Sequence, residues 1–186
     1  MGETGVQDWN VVVTVYRDAD VRRALETLAE YGLAEESGHR HVLVMKTAGD
    51  VEAFADRFAD RLKAHPELME HISRVAPCQV VFDFSTAAEF ERRAEQSVLD
   101  WGEILCGASF CVRVNRRGFK GELDEACEER FLDGVIMRRL EELGDPGRVC
   151  LADPDFVIDV ETVGGRAGMS VWTREEREWL PFLRVA

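Results

Sequence analysis

Along this chain the spacing of apolar positions switches repeatedly between a period of two and a helical period, and the switches mark out the elements. Residues 9–16 read WNVVVTVY, a β-branched and aromatic run that predicts a strand. Asp18 or Asp20 can then cap a helix carrying Val21, Leu25 and Leu28 on one side, with Gly32 as its stop. Residues 41–46 predict a second strand. Asp50 can cap a long helix in which Val51, Phe54, Ala55, Phe58 and Leu62 form one apolar stripe. Pro66 interrupts that stripe, and a short helical turn is expected over residues 67–71. Residues 78–84, CQVVFDF, predict a third strand. The preceding Arg74-Val75-Ala76-Pro77 reads as a proline turn.

From Thr86 the pattern changes. A helix is expected over 87–105, with Phe90, Ala94, Val98 and Trp101 facing inward, followed by a strand over 110–114. Asp124 precedes a helix over 125–143 that Gly144 and Pro146 end. Residues 156–163 and 167–172 predict two strands, joined as a hairpin by Gly164–Gly165. One helical turn is expected before Pro181. These elements divide into two domains, 8–85 and 86–186. No Pro-, Gly- or Ser-rich linker separates them, so the expectation is two packed units of an α/β (α+β) chain.

Composition narrows the chemistry. The net charge is −13, which argues against diffuse adhesion to nucleic acid or anionic membrane over the whole surface. No stretch approaches the ~20 apolar residues of a membrane span, and MGETGVQDW has neither the basic nor the apolar region of a signal peptide. Five cysteines without CxxC spacing suit a reduced, cytoplasmic protein with inert thiols. His39, His41, His65 and His71 fall in the first half and all the cysteines but Cys78 later, so no metal site is expected. No Gly-rich phosphate loop or nucleophile elbow is present, and no cofactor is predicted.

Against that acidic background, residues 110–120 read FCVRVNRRGFK, with four cations and no acid. A local basic cluster is the footprint of phosphate binding. Arg113 and Asn115 share one face of the predicted strand, and Val112 and Val114 the other. Arg116, Arg117 and Gly118 are expected to leave the strand as a turn. Arginine can bind two phosphate oxygens at once. Asn115 could add a sugar or base contact, Phe119 could stack on an unpaired base, Lys120 adds a charge, and Arg74 is a candidate second contact. The competing reading is a solvated turn whose arginines pair with the acidic helix at 124–129. A second motif, PDFVIDVETV at 154–163, puts Asp155, Asp159 and Glu161 on one face. That row either orients arginines of a neighbouring strand or faces solvent. Trp172, Trp179, Leu180, Pro181 and Phe182 either cover the core or form an apolar docking patch.

Taken together, FCVRVNRRGFKG and VCLADPDFVIDVETV, followed by GMSVW, resemble the THUMP domain of RNA-modifying enzymes. The preceding strand–helix alternation, with SRVAP, is similar to the ferredoxin-like domain that commonly precedes THUMP. The resemblance implies an N-terminal ferredoxin-like domain packed on a C-terminal THUMP domain. It implies recognition of the acceptor stem and 3′-CCA end of tRNA, with Arg113, Asn115, Arg116, Arg117, Lys120 and Arg74 as RNA contacts. In that family the chemistry lies in an appended domain. With the sequence ending at Ala186, the expectation is a stand-alone, non-catalytic tRNA-binding protein that assists a separate tRNA-modifying enzyme. The alternative is an adaptor whose RNA binding occurs only in complex with such an enzyme.

Overall fold

The computed structural model describes residues 7–185, in two compact units. The first runs to Gln79 and takes in Trp179–Arg184; the second is Val80–Glu178 with Val185.

The first unit has the order β1 (Val11–Val15), α1 (Val21–Leu28), β2 (Gly32–Glu36), β3 (Val42–Thr47), α2 (Val51–Ala64) and β4 (Ile72–Pro77), with a 3-10 turn at Pro66–Met69. Its antiparallel sheet runs β2-β3-β1-β4, the ferredoxin-like βαββαβ arrangement. The helices start where side-chain oxygens meet their orphan amides: Asp20 accepts from the Arg22 and Arg23 N–H groups, and Asp50 from those of Glu52 and Ala53. Two strands lie where the sequence predicts none. Gly32 opens β2 instead of closing the helix, because it crosses so close to β3 that a Cβ would sit 2.0 Å from the Lys46 carbonyl oxygen. Residues 74–77 lie in a strand and not in a turn: β4 pairs with β1 along its length. Its terminal Pro77 lies where a missing N–H is tolerated.

The second unit comprises β5 (Val80–Asp83), α3 (Ala87–Asp100), a 3-10 turn at Gly102–Leu105, β6 (Ser109–Arg117), α4 (Glu125–Leu143), β7 (Arg148–Val149), β8 (Phe156–Val163), β9 (Arg166–Thr173) and α5 (Arg174–Trp179). The sheet order is β5-β9-β8-β6-β7, with β6 parallel to both its neighbours. Phe110, Val112, Val114, Ile158, Val160, Met169 and Val171 form one apolar face. They pack in one core with Phe90 and Val98 of α3 and with Leu132, Ile136 and Leu140 of α4. Gly144, left-handed at φ 79°, ends α4 as its position predicts.

The predicted boundary after residue 85 moves to Gln79. The reason is pairing: β5 joins β9 in the second sheet, with Phe82 opposite Ala167. The tail moves too. Phe182 is fully buried, packs edge-on against Phe58 at 5.1 Å, and accepts a hydrogen bond from the Val75 N–H. Trp172 and Leu180 are likewise buried and Trp179 is half exposed, so the apolar tail residues mostly complete cores.

Candidate nucleic-acid interface

The basic segment is built on β6, which continues past the predicted end at Val114 as far as Arg117. Its register with β8 sets Arg113 beside Asp159, Asn115 beside Glu161 and Arg117 beside Val163. Cross-strand neighbours on one face of a sheet are within side-chain reach. The acidic row of β8 therefore meets the polar row of β6, one of the two readings left open for it. Arg117 forms an ion pair with Glu161, which is 1% exposed, and Arg117 also donates to the Asn115 carbonyl oxygen at 3.1 Å. Asn115 donates from its side-chain amide to Asp159 at 3.3 Å. Arg113 donates to the carbonyls of Val112 (3.3 Å) and Leu151 (3.2 Å). The acidic partners are buried, so this network stabilises the sheet before it serves any ligand.

Arg116 faces the other way and makes one short bond, donating to the Gly118 carbonyl at 2.7 Å; its buried Nε has no acceptor among the described residues. Gly118, at φ 98°, starts the turn. A side chain there would press on the Gly164 backbone at 3.2 Å, so only glycine lets the two loops close over the ends of β6 and β8. Lys120 follows, exposed to solvent. Phe119 is committed to packing, its ring 4.8 Å from that of Phe84, which removes it as a stacking platform in this conformation. Arg74 lies in the first unit, on β4, where its Nε donates to the Leu183 carbonyl at 2.7 Å and ties down the tail.

The acidic helix does meet the basic strand, but through the backbone. Beyond β7 the outer edge of β6 has no strand partner. Glu125 accepts from the Arg116 N–H and Glu129 from the Val114 N–H, each at 3.0 Å, and Asp133 accepts from the Val112 N–H. Carboxylates four apart on a helix meet amides two apart on a strand. This ladder satisfies donors that would otherwise be stranded. Sequence reasoning missed it, although the spacing of Glu125, Glu129 and Asp133 beside an alternating strand carries the signal. Burial raises Asp133 to about 6, and burial with the charges of Glu91 and Asp124 raises Glu128 to about 7. Hydrogen bonds from the Ser109 hydroxyl and N–H hold Asp155 below its usual range. Among the described residues no three His, Cys, Asp or Glu side chains gather as a metal site, and no helix is long and apolar enough to cross a membrane.

Fold and site define a mixed α/β chain in which a ferredoxin-like unit precedes a five-stranded unit with a polar, arginine-bearing sheet face. No family model matches the chain. A tRNA sulfurtransferase of Klebsiella pneumoniae subsp. pneumoniae is 39% identical over 72 residues, which is 39% of this chain and 14% of that protein. A tRNA sulfurtransferase of Shewanella frigidimarina is 26% identical over 144 residues, 77% of this chain and 27% of that protein. The chain thus spans about a quarter or less of the length of these relatives. A solved 4-thiouridine synthetase–RNA complex with bound ATP superposes with a TM-score of 0.52 at 15% identity, over 89% of this chain and 42% of that one, a likeness of fold. Together they show likeness in sequence to part of tRNA sulfurtransferases and likeness of fold to part of a 4-thiouridine synthetase.

Proposed function

We propose that this chain is a tRNA-binding module that recognises the acceptor stem and 3′-CCA end and serves a separate tRNA-modifying enzyme without turning over a nucleoside itself. The observation that carries this reading is the similarity to tRNA sulfurtransferases across 144 residues. The geometry adds support at the end of β6, where Lys120 is exposed and the Arg116 guanidinium makes one hydrogen bond, to the Gly118 carbonyl. Phosphate oxygens accept from ammonium and guanidinium N–H groups alike. In this reading Lys120 and Arg116 are the primary RNA contacts. Arg113, Asn115 and Arg117 hold the strand in place, and Arg74 acts through the tail it anchors.

The test is tRNA binding by the purified chain over a series of salt concentrations. A Lys120→Ala/Arg116→Ala variant is expected to lose roughly tenfold in affinity and to flatten the log–log salt slope by about two. Unchanged affinity and slope would contradict the site. Conversion of any tRNA nucleoside by the chain alone would contradict the non-catalytic role.

A further inference from the structure

In the first unit, the tip between β2 and β3 carries Gly38-His39-Arg40-His41 beside a cavity of about 340 Å³. The tip keeps its shape through its backbone. The Val15 N–H donates to the His41 carbonyl at 3.0 Å and the Val42 N–H to the His39 carbonyl at 3.1 Å; the Ser37 hydroxyl donates to the Val42 carbonyl at 2.8 Å. The two imidazoles and the guanidinium take no part in this bonding. Their side chains make no hydrogen bond or ion pair among the described residues.

Most other cations of this unit are held, Arg17 excepted. Arg22 pairs with Glu26, Arg23 with Asp20, Lys46 with Asp8, Arg61 with Glu30, Lys63 with Asp60, and Arg184 bonds the Tyr16 hydroxyl. Arg40 is exposed and unpaired. The cavity beside it has an apolar floor in Val15, Val21 and Leu43, and Glu36 is its one acidic wall. His41 holds a left-handed φ of 64°, uncommon for a residue with a side chain. Such conformations persist where the surrounding structure enforces them, and they concentrate at ligand sites.

We propose that this tip is a second RNA contact that holds one unpaired nucleotide. The base lies on the Val15–Val21–Leu43 floor against an imidazole face, and its phosphate lies on Arg40. The volume falls at the lower end of the range for small-ligand pockets, roughly 300–1,000 Å³. Apolar floor, imidazole and guanidinium together match the base and phosphate of a single-stranded nucleotide. Glu36 opposes the phosphate, so the contact depends on the Arg40 charge. The inference rests on the tRNA-binding reading and extends it to the first unit.

The experiment compares tRNA binding by the full chain with Arg40→Ala, Arg40→Lys and His39→Ala/His41→Ala variants, with thermal melting to confirm folding. Arg40→Ala is expected to lose roughly fivefold in affinity and to reduce the salt slope by about one, while Arg40→Lys retains most of the slope. The histidine variant is expected to weaken binding with the slope unchanged, because it removes the base contact and not the ion pair. If wild-type chain binds tRNA and all three variants match it, the tip is not a contact and the tRNA reading stands. If wild-type chain does not bind tRNA, the tRNA reading itself falls and takes the tip with it.

Discussion

At the scale of single residues, charge in this protein is decided by burial more than by count. Arg117 looks from the sequence like a phosphate ligand, yet its ion pair with Glu161 lies almost wholly out of water. Removing one partner of such a pair strands the other charge. Glu161→Ala is therefore expected to destabilise the protein by about 3 kcal/mol in urea unfolding, with Glu161→Gln milder because the amide still accepts a hydrogen bond. A neutral effect of Glu161→Ala would mean that the pair contributes nothing.

Glu128 illustrates the same rule with opposite sign. It is 5% exposed and one of its carboxylate oxygens has no partner among the described residues. It titrates at about 7, and Asp133 at about 6, against ordinary values of 4.5 and 3.8. Between those limits the folded state keeps protons that the unfolded state has lost. Stability from these two groups therefore falls as pH rises from about 4 to about 7. Unfolding measured at pH 6 and pH 8 should show the higher stability at pH 6. Glu128→Gln should gain about 1 kcal/mol at pH 8 and flatten the pH dependence, since a neutral amide removes the buried charge. A variant less stable at pH 8 than the parent would contradict this.

At the scale of elements, the decisive unit is β6 with α4. A strand edge left open invites pairing with another chain. Here Glu125, Glu129 and Asp133 occupy that edge in place of a strand. Glu129→Ala leaves the Val114 N–H without its acceptor, at a cost of about 1–3 kcal/mol, and opens the edge. Size-exclusion chromatography of this variant should show more self-association than the parent; parental elution and parental stability would argue against the ladder.

Much of this was legible in the sequence, and the exceptions have physical causes. Helix starts at Asp50, Thr86 and Asp124 were readable because capping is local chemistry, and the Gly164–Gly165 hairpin because turn geometry is too. β2 and β4 were hidden. GLAEE has little strand propensity and owes its form to pairing with β3, and ISRVAP ends in a proline that reads as a break. The basic cluster was legible as charge, but its use was not. That depended on a parallel register with β8 and on which face each arginine takes, both non-local facts.

At the scale of the whole molecule, a strongly acidic chain can hold an acidic polymer only where its cations are left unspent. Most of the arginines described above are spent on carboxylates, carbonyls and the tail. Lys120 in the second unit's basic segment, and Arg17 and Arg40 in the first unit, have no side-chain hydrogen bond or ion pair among the described residues, and Arg116 makes one, to the Gly118 carbonyl. On the proposed tRNA-binding reading, few contacts of this kind imply modest affinity, and discrimination between RNAs would rest on shape and on the single-stranded end.

The most direct measurement is a filter-binding comparison of intact tRNA with the same tRNA trimmed of its CCA. The intact molecule is expected to bind, and trimming to weaken binding by roughly tenfold at fixed salt. Equal binding of the two, or none of either, would contradict recognition of the tRNA end by this chain.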